Sequence, residues 1–99
     1  MRPIHLARLD KERPVLVLTR ELVRPHLTRV TVAPITTTSR GLSSEVPVGP
    51  ANGLDEESVV SCDNILTVPV SSLGSLVGFL RPQQEAELAA SIRAAFDLE

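Results

Sequence analysis

Hydrophobic and polar positions along the chain change period several times, and each change predicts an element. Arg13-Pro14-Val15-Leu16-Val17-Leu18-Thr19 is a continuous, β-branched-rich apolar run of strand length, which reads as a strand buried on both faces. From Thr28 to Val32 the pattern becomes strict alternation, with Val30 and Val32 on one face, as in a half-buried strand. Pro34 has no N–H for a ladder, so this second strand is expected to end, bulge or become an edge there, leaving Thr36, Thr37 and Thr38 at a strand end. Ser39 to Gly41 reads as a turn, Ser44 to Val48 as a short strand, and Gly49, Pro50, Asn52 and Gly53 as a loop. Further strands are predicted at Ser58–Cys62, Ile65–Val68 and Leu76–Leu80, with one turn of helix between Pro69 and Gly74. His5 falls in a first strand, and His26 in a proline-flanked connection.

The end of the chain differs in kind. After Pro82, placed for a first helical position, Gln83 to Phe96 is rich in Ala, Glu and Leu without Gly or Pro. Leu88, Ile92, Ala95 and Phe96 form one apolar stripe, so a terminal amphipathic helix is expected to pack on a sheet. Many short strands followed by one helix, with no strand–helix alternation, predict an α+β fold built on an antiparallel barrel or strongly bent sheet. Residues 1–99 fit one domain of this size. A domain so small gains from a partner subunit, which makes oligomerisation an expectation.

Composition narrows the setting. The longest purely aliphatic run has four residues, Val15 to Leu18, against the roughly 20 needed to span a bilayer. His5, Arg8, Asp10 and Lys11 interrupt the amino terminus, so no signal peptide is legible and a cytoplasmic setting is expected. A single cysteine, Cys62, excludes an internal disulfide and a cysteine zinc site. Cys62 is expected to act as a small buried hydrophobe.

The formal net charge of −2 argues against a polyanion partner until it is divided. Residues 1–40 carry a net +5 and residues 41–99 a net −7, an asymmetry that hints at a polyanion on one part of the surface. With no Trp, no Tyr and only Phe79 and Phe96, an aromatic stacking platform is not expected. No Gly-rich phosphate loop, helical His pair or G-x-S-x-G is present.

What remains is a constellation: Arg13 at the start of one strand, the threonines at the end of the next, and Asp63 in a later turn. A guanidinium fork can neutralise a phosphorane, a threonine hydroxyl can donate to a nonbridging oxygen, and an aspartate can accept a proton or hold the arginine. Such a set suits phosphodiester cleavage. The same residues taken singly are also ordinary surface salt-bridge and turn formers.

Three stretches sharpen the choice: Arg13-Pro14-Val15-Leu16-Val17-Leu18, Val30-Thr31-Val32-Ala33-Pro34-Ile35-Thr36-Thr37-Thr38, and Ser58-Val59-Val60-Ser61-Cys62-Asp63-Asn64-Ile65-Leu66-Thr67-Val68. Together with Leu73-Gly74 and Val77-Gly78-Phe79-Leu80 before a terminal helix, they resemble the MazF/PemK toxin family over nearly the whole chain. The resemblance implies an SH3-like small antiparallel barrel of the MazF/PemK/CcdB type, working as a homodimer that cuts RNA without a metal or other cofactor. It also implies a cognate MazE-like antitoxin whose extended acidic segment occupies the RNA groove. Carried onto this chain, the catalytic arginine is Arg13 and the catalytic threonine Thr36. Asp63 matches an aspartate of the PemK branch, but that branch's arginine two residues earlier is Ser61 here. Thr37, His5, Lys11 and Arg40 are further candidates for proton transfer or RNA contact.

A long loop common in the family before the Arg-Pro step is replaced here by Leu9-Asp10-Lys11-Glu12 alone. An opener site of that kind suits a structured substrate such as a tRNA loop as well as message. Two other classes stand beside the nuclease. One is a non-catalytic CcdB-like toxin that grips DNA gyrase through a terminal helix, although the chain closes on Phe96-Asp97-Leu98-Glu99 rather than Trp-Gly-Ile. The other is an inactive SH3-like interaction module.

Overall fold

The computed structural model describes residues 1–98. Among these residues, seven strands and one α-helix follow, with short 3-10 turns between some of them, in the order β1 (Pro3–Arg8), β2 (Glu12–Val17), β3 (Arg29–Thr36), β4 (Glu45–Val48), β5 (Ser58–Ser61), β6 (Leu66–Pro69), β7 (Leu73–Phe79) and α1 (Gln84–Ala95). All the pairings are antiparallel, in the sheet order β4-β5-β3-β2-β1-β7, with β6 added to β3. This is the α+β antiparallel fold with a carboxy-terminal helix that the pattern predicts. Among the described residues, no helix is long and apolar enough to cross a membrane.

The sheet has a core on each face, which is why Val15, Leu16 and Val17 are all buried. Leu16 joins Ile4, Ala33, Ile35, Val46, Val60, Cys62 and the helix residue Leu88 on one face. Val15 and Val17 join Ala7, Val30, Val32 and Val68 on the other. Along β3 the expected alternation holds, with Val30 and Val32 buried and Arg29 exposed.

At Pro34 the strand neither ends nor bulges but has a local edge, and β3 runs on to end at Thr36. The Thr31 carbonyl accepts the Leu18 N–H at 2.8 Å and the Thr31 N–H donates to Thr19 Oγ1 at 2.8 Å, so Thr31 turns its polar groups toward the β2 side. Three residues on, Pro34 turns to the other side. There β6 has ended opposite Val32 and β5 begins opposite Ile35, so the missing N–H falls in the gap between two partners and costs no ladder bond.

Three boundaries also move. The last strand starts at Leu73 rather than Leu76, because it pairs with β1 as far as Ala7. Helix α1 starts at Gln84, with Gln83 at its cap and Pro82 outside. Phe96 is 55% exposed, one residue beyond the helix, so the apolar stripe ends with Leu88, Ile92 and Ala95 against the core. A buried polar knot fixes the helix start: Asn52 Nδ2 donates to Gln84 Oε1 at 2.7 Å and to the Phe79 carbonyl at 3.0 Å.

Candidate active site

Register builds the site. Strands β2 and β3 pair Val17 with Val32, Leu16 with Ala33 and Val15 with Pro34. The same register carried two residues past the Val15–Pro34 pair would set Arg13 across from Thr36, and cross-strand partners share a face. Both line a cleft of about 390 Å³ with Pro34, and its far wall is Leu42, Glu45, Ser61, Asp63 and Asn64.

Arg13 is a half-satisfied cation. Its Nη2 reaches the Asp10 carboxylate at 3.3 Å, while its Nε is buried and has no hydrogen-bond partner among the described residues. A buried donor left so costs about 1–3 kcal/mol. Thr36 Oγ1 accepts the Thr38 N–H at 3.1 Å, so its own O–H remains to donate.

The two carboxylates of the lining are committed to the walls. Glu45 Oε1 accepts the backbone N–H groups of Arg40 and Leu42, both at 3.1 Å, and thereby shapes the loop between β3 and β4. Asp63 Oδ2 accepts from Ser44 Oγ, which leaves Oδ1 as the free acceptor in the cleft. Beside it, Asn64 Nδ2 donates to Ser61 Oγ at 2.8 Å. Buried Cys62 faces the core, and burial first, then the Asp63 charge, push its thiol up to about 11. It is inert as a nucleophile at neutral pH.

The match to family sequences decides what this geometry belongs to. Residues 4–96 match the family model described as PemK-like, MazF-like toxin of type II toxin-antitoxin system. The chain belongs to this toxin family. Endoribonuclease MazF3 of Mycobacterium tuberculosis (strain ATCC 25618 / H37Rv) is 66% identical over 99 residues, covering 100% of this chain and 96% of the relative. Probable endoribonuclease MazF5 of the same strain is 37% identical over 86 residues, covering 86% of this chain and 79% of the relative. The solved structure of Mycobacterium tuberculosis toxin MazF-mt6 superposes with a TM-score of 0.97 at 65% identity, covering 99% of each chain.

Within this toxin fold, Arg13, Thr36, Asp63 and Arg40 are brought to one cleft, and three other candidates are not. Thr37 lies in the bend just past the end of β3 and lines a separate cavity. His5 Nδ1 donates to the Gly74 carbonyl at 2.9 Å on the β7 side, away from the cleft lining. Lys11 is exposed in the turn closed by the Leu9 N–H to Lys11 carbonyl bond of 3.1 Å, outside the lining. Sequence reasoning missed Glu45 and Asn64. Asn64 was readable beside Asp63, whereas nothing in the local pattern distinguishes Glu45 from an ordinary first residue of a strand.

Proposed function

We propose that this toxin is a metal-independent, sequence-specific endoribonuclease whose reacting phosphate lies between Arg13 and Thr36. The observation that carries the reading is one cleft lined by both an arginine with an unpartnered guanidinium donor and a threonine with an unspent hydroxyl. The ribose 2′-hydroxyl attacks the adjacent phosphorus, the bond to the 5′ oxygen breaks, the leaving 5′ oxygen takes a proton from water, and the products are a 2′,3′-cyclic phosphate and a 5′-hydroxyl. Arg13 stabilises the pentacoordinate dianion, and Thr36 holds a nonbridging oxygen. Asp63 Oδ1 takes the 2′ proton, a role for which Arg13 is unsuited, since a guanidinium carries donors and no acceptor.

Cutting cellular RNA inhibits translation and growth, which gives the toxin its effect and requires an antitoxin partner to restrain it. The working unit is a cytoplasmic homodimer paired with a MazE-like antitoxin. The connection between β1 and β2 is only Leu9 to Lys11, and so short a loop favours tRNA as a substrate alongside mRNA. The gyrase-binding and inactive-module alternatives are not favoured, because the full-length relatives carry endoribonuclease names. Incubation of purified protein with total RNA in EDTA, followed by mapping of new 5′-hydroxyl ends, tests the reading. Sequence-specific 5′-hydroxyl ends support it, and RNA left intact overturns it. Matched folded tRNA and unstructured RNA test the substrate preference, and a strong preference for the unstructured strand removes the tRNA assignment.

A further inference from the structure

A second cavity, of about 510 Å³, lies on the opposite face of the same strand ends. Pro14, which alternates with Arg13 along β2, and Thr37, in the bend just past the end of β3, line this groove and not the first cleft. The dipeptides Arg13-Pro14 and Thr36-Thr37 are therefore a rim common to both spaces. Leu6, Leu54 and Leu76 give the groove its apolar lining, and Asp55 and Glu56 line it too. The pairing of β3 with β5, Ile35 to Val60 and Thr36 to Val59, fixes this side next to Thr37.

We propose that this groove is a nucleobase pocket, which takes the base of a nucleotide flanking the scissile phosphate and prefers a base with an exocyclic amino group to uracil. The assignment rests on the reading that the Arg13–Thr36 cleft holds the phosphate. Continuity carries it: a phosphate seated at Arg13 puts the next nucleotide at the common rim, where the groove is the nearest apolar surface that can take a base out of water. The volume is in the range of small-ligand pockets, and an apolar floor with a few polar groups at the side is their usual lining.

Charge sorts the nucleotide's two ends. Arg13 and Arg40 face the first cleft, so the phosphate is drawn there, and Asp55 and Glu56 repel it from the groove. Ionised carboxylates only accept hydrogen bonds. The amino groups of cytosine, adenine and guanine satisfy them, whereas uracil turns carbonyl oxygens toward them and has one N–H to offer. An acidic peptide is excluded from the groove by the same charges, which leaves a cationic segment of a protein partner as the competing occupant.

The test uses a panel of short RNAs that differ by cytosine or uracil at each position flanking the cut. The wild-type protein is compared with the Asp55→Asn/Glu56→Gln double variant. Both acids are exposed, and a thermal melt checks that the variant is folded. The wild type is expected to favour the amino base at one flanking position by about 10-fold in kcat/KM, the scale of one good base contact. The double variant is expected to level that position to within about twofold and to keep the preferences elsewhere, since an amide both donates and accepts. The proposal is overturned by a wild type indifferent at every flanking position, by a variant whose preferences are unchanged, or by a variant that loses only binding to its antitoxin. A wild type that cuts none of the RNAs overturns the nuclease reading and the pocket with it.

Discussion

Replacing Asp10 with alanine tests how Arg13 is aimed. In the fold the Asp10 carboxylate is itself steadied by the Lys11 N–H at 3.0 Å, and it holds Arg13 Nη2 at 3.3 Å. Two opposed effects follow from removing it. The competing anion disappears, which favours phosphate binding. At 3.3 Å in water that attraction is about 1 kcal/mol, and salt together with the 74% exposure of the Asp10 side chain reduces it further. Against this, the guanidinium regains rotamer freedom, and ordering an arginine side chain costs about 1.5–2 kcal/mol. The second effect is larger, so Asp10→Ala is expected to lower kcat by up to about 10-fold, with KM for RNA unchanged or reduced. Asp10→Asn, which keeps an acceptor without the charge, falls between the two. Steady-state cleavage of a short fluorogenic RNA separates the constants. A rise in kcat, or a raised KM at constant kcat, would refute the claim that Asp10 positions Arg13.

Glu45→Ala frees the Arg40 and Leu42 N–H groups, so these amides should exchange faster with deuterium and KM for RNA should rise several-fold. Unchanged exchange would mean the loop is held by something else. Gly78→Ala drives a methyl into the Asn52 carbonyl and should cost about 2–3 kcal/mol, lowering the thermal midpoint by ~10–20 °C; an unchanged midpoint contradicts the packing described. The Cys62 thiol titrates at about 11 in the fold against 9.0 as its ordinary value. Its contribution to stability is therefore full below pH 9 and is lost as pH rises to about 11, by ~2–3 kcal/mol. Urea melts at pH 8 and pH 11 on wild type and Cys62→Ala check this, and the variant should show the smaller pH dependence. Native Cys62 should also resist a thiol reagent at pH 8.

The elements legible in the sequence were those whose burial is decided by local pattern. Val15 to Val17 announced a strand with a core on each face, because no residue in the run can face water at low cost. Pro34 left three outcomes open, an end, a bulge or an edge, and which one holds is set by β5 and β6, far along the chain. Phe96 misled: it has the helical spacing, but the helix stops before it. At the site, Arg13 and Thr36 were readable from the wording of their strands, yet only the fold shows that they line one cleft. Thr37 could not be separated from Thr36 without knowing which face each takes. Glu45 was invisible because its role is to gather N–H groups from a loop whose path no local pattern fixes.

The central claim is that Arg13 stabilises the charge that develops on a scissile RNA phosphate, and the single-turnover cleavage rate of Arg13→Ala in EDTA tests it most directly. Its ion partner Asp10 is largely exposed, so the variant should melt close to the wild type. The account predicts a loss of about 100- to 1000-fold in rate from a folded protein. A folded Arg13→Ala protein that cleaves at near the wild-type rate would contradict it.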